Sequence, residues 1–163
     1  MSGEEEVKIR EAKPGDGEEI YRILSHAFEP YSRYYTEEAY SATVLSPREI
    51  ESRIKDGQMV VLVATCHGVA VGTVSLKPEG EGRIYLQSMA VEPHYQGQAI
   101  GKQILERAEM FARQRQCRLV SLECYHPLVK ALDLYEKSGF RVTGKKRNYY
   151  GIEIFEMTKK LTG

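Results

Sequence analysis

The chain has 163 residues, 42% of them hydrophobic and 28% charged, which suits one domain with its own core. Lys plus Arg and Asp plus Glu each total 23, so the formal charge is zero and no basic excess points to nucleic acid. No apolar run approaches the ~18 residues of a transmembrane helix, and the acidic start Met1-Ser2-Gly3-Glu4-Glu5-Glu6 lacks signal-peptide features, so a cytoplasmic protein with no membrane partner is expected.

Alternation of Val7 and Ile9 with polar residues predicts a first strand over residues 7–12, ended by Pro14-Gly15. Asp16 with Glu19 forms a candidate capping box for a helix whose apolar face holds Ile20, Ile23, Leu24, Ala27 and Phe28. An aromatic segment follows, with Tyr31, Tyr34, Tyr35 and Tyr40, and a short helix is expected after Thr36. Ser46-Pro47-Arg48-Glu49 is a second capping box with Pro at the first helical position, and Gly57 stops that helix. Residues 59–65 are nearly all apolar, as in a strand buried on both faces. Cys66-His67-Gly68 reads as a hairpin turn into a partner strand over residues 69–76.

After a glycine-rich loop at residues 78–82, a strand is predicted over residues 83–91, where Pro93 forbids simple continuation. Residues 99–114 form a strong amphipathic helix, residues 119–124 a strand, and residues 128–138 a helix ended by Gly139. Two last strands, near 140–144 and 152–159, flank a loop holding Tyr149 and Tyr150. Lys145-Lys146-Arg147 reads as a solvated turn. The order, roughly βααβββαβαββ, is that of a mixed α/β domain. Cys66, Cys117 and Cys124 contain no Cys-x-x-Cys pair, and His26, His67, His94 and His126 show no ligand spacing, so neither a disulfide framework nor a metal site is expected.

The most informative stretch runs Val91-Glu92-Pro93-His94-Tyr95-Gln96-Gly97-Gln98-Ala99-Ile100-Gly101-Lys102. A strand ends, small residues turn the chain, and a long helix begins. First-turn N–H groups are free, and the helix dipole favours an anion there by roughly 0.3–1 kcal/mol. Several such groups aimed at one place hold a pyrophosphate, provided that small side chains let it approach. Three residues separate Gly97 from Gly101, and Gln103 follows Lys102, so this is not a Walker A loop. The dinucleotide fingerprint Gly-x-Gly-x-x-Gly is absent too. Taken alone, the glycine pair also fits a tight helix start with no ligand.

This stretch resembles the signature of the Gcn5-related N-acetyltransferase superfamily, Gln/Arg-x-x-Gly-x-Gly/Ala after a strand ending in Val and Pro. Gln96 to Gly101 match it, with Ala99 in place of the first signature glycine. The similarity covers nearly the whole chain in element order. It implies a single acetyltransferase domain over residues 1–163 with acetyl-CoA as cosubstrate and no metal. It also implies a central, mostly antiparallel sheet of six to seven strands, splayed at the acetyl-CoA site and flanked by helices on both faces. Backbone atoms of Met89, Ala90 and Val91 would pair with the pantetheine arm. Gln96 and Gly97 would shape the cradle, and N–H groups of Gln98, Ala99, Ile100, Gly101 and Lys102 would hold the pyrophosphate.

Ala131-Leu132-Asp133-Leu134-Tyr135-Glu136-Lys137-Ser138-Gly139-Phe140 is similar to a later motif of that superfamily, Ala-x-x-x-Tyr-x-x-x-Gly-Phe. There the Tyr stands beside the cofactor sulfur. A phenol near pKa 10 can donate to a departing thiolate near 8.5, as rough ordinary values. Tyr135 could equally be core on an amphipathic helix. Many relatives carry Asn seven positions before this Tyr; here the residue is Leu128, and His126 or Lys130 are the candidates to replace its contact.

The attacking amine must be neutral. An α-amine near pKa 8 costs little to deprotonate, whereas a Lys amine near 10.4 costs roughly 4–5 kcal/mol at pH 7. Candidate bases are Glu123 and Tyr85, on the two strands that should open around the thioester; a buried Glu can have its pKa raised. Protein N-terminal acetyltransferases of the superfamily place a Tyr and a His on these strands, so Glu123 stands where they carry His. Asn148-Tyr149-Tyr150 resembles their peptide-gripping Tyr pair, and Pro30-Tyr31-Ser32-Arg33-Tyr34-Tyr35 resembles the opposite groove wall, which makes Phe28, Tyr31, Tyr149 and Tyr150 the candidate substrate contacts. A peptide or protein N-terminal α-amine is slightly preferred as acceptor on this resemblance, with a small amine (an amino acid, polyamine or antibiotic-like molecule) as the alternative. A non-catalytic acyl-CoA sensor and a structural interaction protein are further readings, as monomer or homodimer.

Overall fold

The computed structural model describes residues 6–161, so the acidic start lies outside the described residues apart from Glu6. β1 (Val7–Glu11) leads to α1 (Gly17–Phe28), a 3-10 helix (Glu29–Tyr34), α2 (Glu37–Thr43) and α3 (Pro47–Asp56). β2 (Val60–Cys66), β3 (Val69–Pro78) and β4 (Arg83–Val91) follow as a meander. A second 3-10 turn (Pro93–Tyr95) precedes α4 (Ile100–Gln114), then β5 (Leu119–Cys124), α5 (Val129–Lys137), β6 (Arg141–Tyr149) and β7 (Ile152–Lys160).

The strands form one seven-stranded sheet in the order β1-β2-β3-β4-β5-β7-β6. Every neighbouring pair is antiparallel except β4 with β5. Because side chains alternate along a strand, β2 feeds both faces. Leu62 and Ala64 join Ile100, Ile104, Leu105 and Phe111 of α4 on one face. Val61 and Val63 join Ile20, Ile23 and Leu24 of α1 and Ile50 of α3 on the other. Each buried Val, Leu, Ile or Phe among these contributes roughly 1.5–3 kcal/mol. Close packing on the first face needs Gly72, where an added Cβ would sit 2.7 Å from Ile104 Cδ1.

Local signals hold in several places. Ser46 and Glu49 form the expected reciprocal cap of α3, with Pro47 in the first turn and Gly57 left-handed at its end. The β2–β3 turn puts His67 and Gly68 at φ 51° and 78°, as a tight hairpin turn requires.

Two expectations fail for tertiary reasons. Asp16 does not cap α1 with its side chain. Its carboxylate instead accepts hydrogen bonds from the Arg10 guanidinium at 2.8 and 3.1 Å and from the Lys13 N–H at 2.7 Å. The cap comes from α3: Glu51 accepts from the N–H groups of Gly15 at 3.0 Å and Gly17 at 2.7 Å. Second, β6 runs past residue 144, because β7 offers a partner along its length, from Arg141↔Thr158 to Tyr149↔Ile152. Gly144 is absorbed at φ 93° within an irregular stretch of that ladder. Lys145, Lys146 and Arg147 therefore lie in an exposed edge strand rather than a turn. Only Tyr150 and Gly151 remain between the last strands.

Glu51→Ala should cost about 1–2 kcal/mol through loss of that cap. Thermal unfolding should then shift down by about 2–8 °C. An unchanged melting temperature would contradict the cross-helix cap.

Candidate active site

The β4–β5 ladder contains only Arg83↔Leu119, Ile84↔Val120 and Tyr85↔Ser121. Beyond Tyr85 the strands part. On the other side of β4, Thr73↔Ala90 and Ser75↔Gln87 set three residue steps of β4 against two of β3. The extra residue falls where Ser88 adopts φ 54°, a left-handed conformation uncommon for a non-glycine residue. Such a bulge bends its strand. The opening is flanked by two cavities, a larger one of about 590 Å³ and a smaller one of about 100 Å³. Phe28, Met89, Leu128 and Tyr135 line both. Tyr135, projecting from α5, thus stands at the junction. Burial, with a smaller contribution from Cys124, raises its phenol pKa, so it stays protonated near neutrality.

The larger cavity lies at the mouth of α4. Met89, Ala90, Val91, Gln96, Gly97, Ala99, Gly101 and Lys102 line it, as do Phe28, Tyr31 and Lys130. The first backbone bond closing onto the helix start is Gln103 N–H to the Ala99 carbonyl at 3.1 Å. The N–H groups of Ile100, Gly101 and Lys102 precede it and so lack intrahelical partners. No side chain caps this helix, in contrast to α2 and α3. Gly97 is left-handed with open space at its Cβ position. Gly101 faces α5, where an added Cβ would lie 2.8 Å from Leu134 Cδ2. Lys137, unread from sequence, joins Lys102 and Lys130 on the lining; Asp133 also lines it and pairs with Lys137 at 3.0 Å. The wall therefore carries a net positive charge.

One sequence expectation, the helix start at Ala99, needs adjustment here. Ala99 does not begin the helix in helical conformation. It precedes it at φ 65°, ψ 12°, which explains why a glycine suits the position. Ile100 is core rather than lining, and Gln98 turns its side chain to the His94 carbonyl at 3.2 Å. Both can reach a ligand through backbone alone. Gln96 donates to the Val91 carbonyl at 3.0 Å, pinning the turn. His126 lies against the Phe155 ring and lines neither cavity.

The smaller cavity holds both candidate bases. Tyr85 donates to Glu123 Oε1 at 2.7 Å. Arg147 donates to both Glu123 oxygens, at 2.6 and 2.7 Å. Burial alone would raise the Glu123 carboxyl, but the bonds from Arg147 and Tyr85 outweigh it, so the net shift is downward. The expectation of a raised Glu pKa is therefore corrected. Burial and the adjacent Glu123 carboxylate raise the Tyr85 phenol. Cys124 also lines this cavity, its thiol pushed up to about 11 by burial.

The roof comes from the α1–α2 segment. Thr36 Oγ1 donates to the Tyr150 carbonyl at 2.6 Å, and Thr43 Oγ1 lies 3.4 Å from Tyr149 Oη. Tyr125 donates to the Tyr34 carbonyl. Tyr35 packs edge-on against Phe28, Tyr40 and Tyr125. Tyr149 lines the smaller cavity, whereas Tyr150 lines neither and is 55% exposed.

Residues 18–140 match the Acetyltransferase (GNAT) family. The chain belongs to this family. An uncharacterized N-acetyltransferase of Bacillus subtilis (strain 168), YhfO, is 28% identical over 141 residues, covering 82% of this chain and 89% of the relative. The fold is shared with the PaiA N-acetyltransferase from Thermoplasma acidophilum, solved in complex with coenzyme A. Its TM-score is 0.80 at 21% identity, over 96% of this chain and 99% of that one. The ribosomal-protein-S18-alanine N-acetyltransferase from Escherichia coli gives 0.76 at 21% identity, over 97% of each chain. The seven-stranded, mostly antiparallel sheet with helices on both faces is the expected GNAT architecture. Among the described residues, no helix is long and apolar enough to cross a membrane, and no acidic, His or Cys group has metal-binding spacing.

In this GNAT chain Glu123 is depressed by its partners, so its pairing stabilises the fold above the ordinary carboxylate range. That contribution fades as pH falls through the folded value. Arg147→Ala removes the partner and keeps the burial. The Glu123 carboxyl should then titrate higher in a carboxyl-carbon NMR titration; an unmoved midpoint would contradict the pairing.

Proposed function

We propose that this chain is a single-domain, acetyl-CoA-dependent N-acetyltransferase in which a primary amine attacks the thioester directly. The observation that carries this reading is Tyr135 at the junction of the two cavities. One cavity has the features of an anion cradle, and the other carries polar groups for an amine. Coenzyme A bound to the PaiA relative supports the same ligand here.

Acetyl-CoA supplies an activated acetyl thioester. The amides of Ile100, Gly101 and Lys102, with Lys102, Lys130 and Lys137, suit its diphosphate and phosphate groups. Met89, Ala90 and Val91 lie on the stretch of β4 that pairs with β3 but not with β5, so the backbone groups on its β5 side are available to the pantetheine amides. Tyr135 keeps its proton at Oη until a departing sulfur can take it. Glu123 and Tyr85 hold and orient the amine.

An ionised, Arg-paired Glu123 is a weak base. It suits an amine near pKa 8 better than a Lys amine, whose deprotonation costs roughly 4–5 kcal/mol at pH 7. The walls expected to flank a peptide are bonded to each other through Thr36 and Tyr150. That contact favours a small amine over a peptide N-terminus, which would have to part the walls. The S18-alanine acetyltransferase relative keeps the peptide reading in the test.

Tyr135→Phe should lower kcat by about 10²-fold while acetyl-CoA affinity, read by calorimetry, stays within about three-fold. Transfer should be assayed against N-terminal peptides, internal-lysine peptides and small amines, with the last expected to react fastest. Equal kcat in variant and parent would remove Tyr135 from the mechanism. Coenzyme A binding without transfer to any amine would establish a sensor instead.

A further inference from the structure

Acetyl transfer as proposed leaves one cation beside the smaller cavity without a task. Arg53 projects from α3, partly buried, and its Nη1 donates to Ser75 Oγ at 3.2 Å and to Ser88 Oγ at 3.5 Å. Both partners are neutral hydroxyls. The carboxylate whose charge reaches Arg53 is Glu49, and that group is committed to capping α3 through the Ser46 N–H at 3.0 Å. Across the cavity, Glu123 is held by Arg147 at 2.6 Å. These formal charges balance, but among the described residues no carboxylate makes an ion pair with Arg53, whose bonds go to the two hydroxyls.

Ser88 brings that charge to the wall. It lines the cavity from the bulge of β4, in its left-handed conformation. A hydroxyl that accepts a bond from a guanidinium still has its own O–H to donate. An acceptor oxygen in the cavity would receive that proton in a bond strengthened by the charge behind it. Burial lowers the Arg53 pKa, as partial loss of water around a cation does. An anion placed here interacts more strongly than it would in bulk solvent.

We propose that Ser88, backed by Arg53, is a carboxylate-binding point, and that the acceptor is a small molecule carrying both an amine and a carboxylate. This rests on the acetyl-transfer reading above. Ser88 adjoins Met89, which lines both cavities, so a short carbon chain between carboxylate and amine is expected of the acceptor. A cavity of about 100 Å³ matches an acceptor of that size. Arg53 also favours the neutral form of a nearby amine, which helps a site whose base is weak.

The test compares matched pairs: small α- and β-amino acids against the corresponding amides, with acetyl-CoA as donor. The parent should favour the acids by about ten-fold or more in kcat/KM, since the uncharged amide forfeits the charge-assisted bond. Arg53→Gln should bring the acid-to-amide ratio close to one, and Arg53→Lys should keep it clearly above one. If Arg53→Gln fails to fold, the parent ratio and the Lys variant decide. Equal rates for acid and amide in the parent would overturn the subsite, as would a ratio unchanged by Arg53→Gln. Transfer to neither class while coenzyme A binds would also overturn it. Failure to bind coenzyme A at all would instead overturn the acetyl-transfer reading.

Discussion

β4 and β5 run side by side for three residue pairs and then separate. A parallel ladder that stops early leaves backbone donors and acceptors exposed inside the protein, a costly arrangement unless something else pairs with them. The bulge at Ser88 turns β4 away, and Met89 to Val91 then face the opening. Both cavities, and the position of Tyr135 between them, follow from that parting. A continuous β4–β5 ladder would leave no route from the mouth of α4 to Glu123.

The two cavities differ in charge as well as size. The larger combines free amides of a long helix with three lysines, against one aspartate already engaged by a lysine. The smaller places six aromatic rings around a carboxylate neutralised by Arg147. Polyamine acceptors would find no free carboxylate on this lining. The proposed acceptor carrying a carboxylate would instead meet Arg53 through the Ser88 wall.

The larger cavity was legible in the sequence because its parts are local. Strand end, glycines and helix start sit within a dozen residues, and Tyr135 with Gly139 marks the second contributor. The smaller cavity was legible only in part. Tyr85 and Glu123 could be placed on adjoining strands, but Arg147 reaches Glu123 across β7, through a register that no local pattern records. Arg53 meets Ser88 from a different layer of the fold, and the left-handed turn at Ser88 has no glycine to announce it. Glu51 capping α1 from α3 is hidden for the same reason. Where residues act within one turn or one strand end, pattern was enough. Where they meet through sheet order or helix packing, it was not.

The proposed acetyl transfer rests on an anion cradle at the mouth of α4 joined to a thioester path between the separated strands. A crystal structure of the chain saturated with coenzyme A measures this directly. The diphosphate is expected against the amides of Ile100, Gly101 and Lys102, with the sulfur beside the Tyr135 hydroxyl. A diphosphate bound elsewhere, or a sulfur distant from Tyr135 in a fully occupied complex, would contradict it.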